Sequence, residues 1–206
     1  MSRTILSLIV SLIIGGIIGY KIHAPASPSQ SQNQKQQMES PKKTSFPAGS
    51  KEEKIENALS AAPAVLAKDA TVMDFPQKQG GELVELKKGT NNWTCLPDYP
   101  ASPGNDPMCV DAQGMKWMQA YITQKEPNLT QAGIGYMLVG GSDASNTDPF
   151  ATKPTEGNDW ITTPSHVMIF PVGKLDQNMY GTDPKKGGSW IMWSGTPYEH
   201  LMVPVK

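Results

Sequence analysis

An uncharged apolar run over residues 4–20, followed by a polar low-complexity stretch, confines any folded structure to the remaining three quarters of the chain. The run is preceded by Arg3 and the amino terminus and closed by Lys21, the layout of an export signal or membrane anchor. As a helix at about 1.5 Å per residue it would span roughly 25 Å, a little under the hydrocarbon core, with Ile22 able to extend it. Both processing outcomes fit. Ala24-Pro25-Ala26 offers small residues for signal peptidase, whereas the length and Ile/Leu content of the run favour an uncleaved anchor. Ser11, Gly15 and Gly19 stand at the four-residue spacing that lets membrane helices approach closely, although small residues are also tolerated in a lone span.

Residues 24–50 contain SPSQSQNQKQQ and SPKKTSFPAGS and almost no large apolar side chains. Such a composition cannot bury enough surface to offset its ordering entropy, so it is expected to be a disordered polar linker. This leaves residues 51–206 as one globular domain, long enough to bury a sizeable core. The chain carries 18 Lys+Arg against 19 Asp+Glu. That balance lacks the basic excess of a nucleic-acid binder.

Within the domain, Ser50 with Glu53 has the form of a capping box, and Ile55, Ala58, Leu59 and Ala62 follow at helical spacing until Pro63. A hairpin is expected from strands at 71–75 and 82–87 around Gln79-Gly80-Gly81, with a third strand at 92–96. Met115, Met118 and Ile122, beside Trp117 and Tyr121, mark an amphipathic helix over 111–124. Short apolar runs at 133–140, 165–172, 189–194 and 198–205 read as strands, the last two joined at Gly195-Thr196-Pro197. Strands without regularly alternating helices predict an α+β domain with a largely antiparallel sheet and two or three helices, preceded by the N-terminal hydrophobic helix. A closed barrel is the alternative architecture.

The two cysteines, Cys95 and Cys109, flank the Pro/Gly-rich stretch LPDYPASPGNDPM. An even count in an exported chain points to a disulfide, worth about 3 kcal/mol for a loop of this size. That in turn points to an address outside the cytosol.

His166 and His200 are each followed two positions later by methionine, Met168 and Met202. On neighbouring strands these four side chains could converge into a soft copper site; the competing reading is methionine core filling with hydrogen-bonded histidines. The segment from Gly140 to Pro149 is crowded with short polar residues, which form local side-chain turns and a rigid surface loop. Its Ser142, Asp143, Asn146 and Asp148 are candidate ligand-binding residues, with Trp190 as a stacking platform for a sugar or aromatic ligand. Asp143, Asn146 and Asp148 could offer oxygens to Ca²⁺, though not at EF-hand spacing. Ser142 or Asp143 with a histidine is the hydrolase alternative, weakened because Ala144 stands where a nucleophile elbow needs glycine.

The stretches WTCLPD with NDPMC, GGSDASNTDPFATKP and GTPYEHLMVPV resemble an uncharacterised family of exported bacterial proteins. The resemblance implies a periplasmic, inner-membrane-facing or secreted location and no assigned activity or catalytic residue. Because no triad, dyad or metal motif stands at a diagnostic spacing, while anchor, spacer and compact head suit a protein that meets a ligand outside the cytoplasm, binding of a small ligand, a metal or an extracytoplasmic partner is favoured over catalysis, with the membrane as a partner through the N-terminal helix. An envelope scaffold is the remaining alternative, expected to expose an apolar patch.

Overall fold

The computed structural model of the chain describes residues 49–76 and 81–205. The N-terminal anchor or signal, the linker up to residue 48 and the Gln79-Gly80 part of the expected hairpin turn lie outside the described residues. Among the described residues no helix is long and apolar enough to cross a membrane.

The fold is α+β. Eight strands form one open sheet in the order β2-β1-β3-β4-β5-β8-β10-β9, with a separate two-stranded sheet, β6-β7. The strands are β1 (Thr71–Asp74), β2 (Val84–Lys87), β3 (Thr94–Leu96), β4 (Met108–Val110), β5 (Gly133–Met137), β6 (Gly141–Asp143), β7 (Ile161–Thr163), β8 (His166–Phe170), β9 (Trp190–Met192) and β10 (His200–Pro204). Every pair is antiparallel except β1 with β3. Because β2 and β9 end the sheet at opposite edges, the closed barrel is not formed.

Among the described residues four helices accompany the sheet rather than two or three: α1 (Lys51–Leu59), α2 (Ala64–Ala67), α3 (Ala112–Ile122) and α4 (Gln177–Tyr180), with one 3₁₀ turn at Pro184–Lys186. The additional ones are single turns that carry no apolar periodicity of their own. The capping box at α1 is complete, the Ser50 hydroxyl accepting from the Glu53 amide at 3.3 Å and Glu53 Oε2 accepting from the Ser50 amide at 2.9 Å. Pro63 does not merely break this helix; it caps α2. Asp111 caps α3 through Oδ1, at 3.0 Å from the Gln113 amide and 2.7 Å from that of Gly114. Its Oδ2 accepts the Ile134 amide at 3.0 Å, so one carboxylate fastens α3 to β5.

Helices cover both faces of the sheet. Alternation puts Val110, Gly135, Met168 and Met202 on one face and Cys95, Cys109 and Tyr136 on the other. The first face packs against Trp117 and Met118 of α3, together with Phe170 and Met192. The second packs against Ala58 of α1 and Ala67 of α2. Close approach on the α3 side depends on glycine: a Cβ at Gly133 would stand 2.6 Å from the Gly114 nitrogen.

Candidate functional site

The site grows out of the segment between the two cysteines. Cys95 and Cys109 are direct register partners on β3 and β4, their Cα atoms 4.0 Å apart, and they form the expected disulfide. The loop they close is then tied down at several points. The buried Asn57 of α1 donates through Nδ2 to Asn105 Oδ1 at 2.8 Å and accepts the Asp98 amide at 2.6 Å. Asp98 Oδ1 accepts the Asp106 amide at 3.0 Å. Asp106 accepts from the Ser142 hydroxyl on β6, whose oxygen in turn accepts the Gly104 amide at 3.0 Å. A Cβ at position 104 would come within 2.6 Å of Ser142 Oγ, so only glycine fits there.

Beyond β6 the chain makes the rigid polar loop expected from its composition. The Ser145 hydroxyl accepts the Thr147 and Asp148 amides at 3.2 and 2.9 Å, and Asp148 Oδ1 accepts the Phe150 amide at 2.9 Å. Asn146 is a hub: its Nδ2 donates to the Thr182 carbonyl at 2.7 Å, its Oδ1 accepts the Trp190 indole proton at 3.1 Å, and its carbonyl accepts the Trp193 amide at 2.8 Å.

Between the disulfide loop, the C-terminal end of α3 and this polar loop lies a cleft of about 280 Å³. Its aromatic lining is Tyr99, Tyr121, Phe150, Trp160 and Trp193, and its polar lining includes Ser142, Asp143 and Asp148. Among the described residues no Lys, Arg or His lines it. Asp143 is half-buried, and its carboxylate receives no hydrogen bond from the described residues. Burial, helped by the nearby Asp106 carboxylate, pushes Asp143 up to about 7. Burial also raises Asp106, against the pull of its hydrogen bonds from Ser102 and Ser142.

Two non-glycine residues among the described ones have positive φ, and both line this cleft: Gln124 at 54° and Trp193 at 52°. Gln124 follows Thr123, the cap of α3, and the Lys125 amide reaches back to the Ala120 carbonyl at 2.8 Å. It thus occupies the left-handed position that usually belongs to glycine. Trp193 is held in its uncommon backbone conformation by its side chain. The indole stacks on Tyr121, with ring centroids 5.3 Å apart, and its Nε1 donates to the Ser145 carbonyl at 2.9 Å.

The candidate residues read from sequence divide accordingly. Ser142, Asp143 and Asp148 line the cleft, as does the polar loop carrying them. Trp190 does not: it is 4% exposed, with its indole proton committed to Asn146, and cannot serve as an open stacking platform. Asn146 is equally committed, so Asp143, Asn146 and Asp148 do not make an open oxygen cage for Ca²⁺. Among the described residues no group of three His, Cys, Asp or Glu side chains is placed to hold a metal ion.

The copper arrangement also fails to assemble. His166, Met168, His200 and Met202 do share one face of β8 and β10, but the register pairs Met168 with Met202 and His166 with Pro204. The histidines therefore lie at opposite ends of the methionine pair, four residues apart along the strands, although the His166 ring is near enough for its charge to act on His200. Each Nδ1 is used locally, 2.8 Å from the Pro164 carbonyl for His166 and 3.0 Å from the Tyr198 carbonyl for His200. A carbonyl only accepts, so both rings carry the proton on Nδ1. His200 is boxed edge-on by Trp117 and Trp193, with centroids 5.2 and 5.0 Å away. Burial holds both imidazoles down at about 4, hence neutral. The methionines fill the core, and neither histidine hydrogen-bonds to Ser142 or Asp143, so the hydrolase arrangement lacks its base.

Sequence reasoning did not assign Tyr99, Asp106, Tyr121, Gln124 or Phe150 to the site, and singled out Trp190 rather than its cluster neighbour Trp193 or Trp160 as the stacking residue. The nearest signal was the closed cysteine loop, which contains Tyr99 and Asp106; the others come from four separate elements. A second cleft, of about 380 Å³, lies around Trp117, Glu126, Lys174 and Glu199. The Glu199 carboxylate there is already used, accepting the Leu175 and Gly195 amides at 2.9 Å each.

Compared with protein-family profiles, curated proteins and solved structures, the chain has no match.

Proposed function

We propose that this protein is an exported binding protein, tethered to the outer face of the inner membrane or secreted, whose globular domain takes a small ligand in the aromatic cleft. The single observation that carries the binding reading is Trp193. A bulky residue at positive φ is costly, of the order of 1–3 kcal/mol, and such outliers cluster at ligand clamps. Here it coincides with a cleft of about 280 Å³, just under the roughly 300–1,000 Å³ of drug-sized ligand sites and so suited to a small ligand. The cleft joins apolar ring surface to a few converging polar groups, which is the usual division between affinity and orientation. Export is supported separately by the apolar N-terminal run, the polar spacer and the disulfide.

The scaffold alternative predicts a contiguous apolar surface. The most exposed large apolar residues, Val65, Met179 and Val172, belong to three separate elements, while the exposed Tyr99 and Phe150 both line the cleft. The test is an NMR titration of the full chain with a library of small polar compounds that have a flat or apolar face, following the five indole N–H resonances. Binders are expected to move Trp160 and Trp193 together, with Trp93 unmoved. A library that leaves both Trp160 and Trp193 unmoved overturns the reading.

A further inference from the structure

Given that cleft reading, on which this inference rests, we propose that the ligand is cationic: an organic ammonium with apolar substituents, held by Asp143 and Asp148 among the aromatic rings. Among the described residues the lining contains two carboxylic acids and no basic side chain. An anionic ligand would therefore meet like charge with nothing to offset it. Asp106, the acid behind Asp143, is saturated by Ser142 and by its own loop, whereas Asp143 has no hydrogen-bond donor among the described residues. A half-buried carboxylate in that position lacks a counter-charge, and a cation supplies one.

The rings supply the second attraction. Tyr99, Tyr121, Phe150, Trp160 and Trp193 all line the same small volume. The face of an aromatic ring carries negative quadrupole density, so a ring-walled site prefers an ammonium over a neutral group of the same shape, and quaternary ammonium ligands are held in such cages. Tyr121 stacks against both Phe150 and Trp193, with centroids 5.6 and 5.3 Å away, and Trp193 is buried, so the stack is fixed and the ring surface left to a ligand is that of the exposed Tyr99 and Phe150 and the half-buried Trp160. The wall is therefore pre-formed rather than assembled by the ligand.

Choline and 3,3-dimethyl-1-butanol separate charge from shape, because they differ only in nitrogen against carbon. Titrating each into the full chain and reading the Trp160 and Trp193 indole shifts, we expect choline to bind at least about tenfold more tightly. Asp143→Asn, which preserves side-chain shape, should cut that ratio severalfold, and Asp148→Asn should cut it less. An unchanged indole spectrum for each free variant certifies its fold. Equal affinities for the two compounds, or a preference that survives Asp143→Asn and Asp148→Asn together, overturn the cationic ligand while leaving the cleft as a binding site. No response to choline at millimolar concentration also overturns it, and the library titration then decides the cleft reading separately.

Discussion

The Ser142 hydroxyl lies 3.0 Å from Asp106 Oδ2, joining the two-stranded β6-β7 sheet to the disulfide loop and making one wall of the cleft continuous with another. The same oxygen accepts the Gly104 amide, so all its hydrogen-bonding capacity toward these neighbours serves architecture. Ser142→Ala is expected to leave a partly buried carboxylate and a backbone amide each short of a partner. A loss of about 1–3 kcal/mol should appear in denaturant unfolding. Consistent with a structural hydroxyl, a fluorophosphonate probe should leave Ser142 unlabelled; stoichiometric labelling would restore the hydrolase alternative.

Opening the Cys95–Cys109 bridge removes the closure of a loop with a sequence separation of 14. The double variant Cys95→Ala/Cys109→Ala is expected to lose about 3 kcal/mol of stability. Because Tyr99, Ala101 and Ser102 reach the cleft from this loop, the variant should also bind ligand more weakly at a temperature where it is still folded. Stability unchanged between oxidised and reduced wild-type protein would contradict this.

Gln124 sits in the left-handed conformation at the end of α3, where glycine escapes the Cβ penalty. Gln124→Gly should therefore stabilise the domain by roughly 0.5–1 kcal/mol, net of the entropy glycine adds to the unfolded chain. The same change at Trp193, also at positive φ, should destabilise instead, since it deletes the stack on Tyr121 and the hydrogen bond to Ser145. Opposite signs at two positions with nearly equal φ would distinguish backbone strain that is incidental from strain that a side chain maintains.

Most of the scaffold was legible in the sequence because it rests on local rules. The Ser50 cap, the period of Met115, Met118 and Ile122, and the runs that became β8 and β10 were each decided within a dozen residues. The open sheet edge between β2 and β9 was not, because strand order is set by long-range pairing. The site was legible only in its loop. Ser142, Asp143 and Asp148 announced themselves by composition, whereas Trp193, stacked on Tyr121, and Trp160 reach the cleft from elements far apart in sequence. The His-x-Met pairs show the limit of period-two reasoning: it put all four side chains on one face correctly, but register, which sequence does not display, separated the histidines.

Asp143 should impose a pH dependence of its own. Its folded-state pKa, about 7, is raised above the usual carboxylate value of 3.8, so the folded state holds a proton that the unfolded state has released. Its contribution to stability is therefore fully present below pH 3.8 and is lost as pH rises toward 7. Asp143→Asn should have little effect at pH 4 and raise the melting temperature by several degrees at pH 8. Ammonium binding should run the other way, strengthening from pH 6 to 8 as the carboxylate forms. Among the described residues, the other titratable groups around it are Asp106, Asp148, Tyr99 and Tyr121, and none is a cation.

His166 and His200 give the opposite slope. Both are neutral and buried, 1% and 2% exposed, with folded-state values near 4 against 6.5 in the unfolded chain. The unfolded state takes up protons first as pH falls, so the stability each contributes is full above pH 6.5 and is lost between 6.5 and about 4. A difference of this size is of the order of 3 kcal/mol per histidine. With two histidines pulling against one aspartate, stability should rise from pH 4 to about 6.5 and then fall slightly toward 7. In the spectrum, the Cε1–H resonances of His166 and His200 should stay flat from pH 8 down to 5. A titration midpoint above pH 6 for either would mean that its ring reaches solvent or an acid, contrary to the Nδ1–H bonds to Pro164 and Tyr198 and the packing of the His200 ring against Trp117 and Trp193.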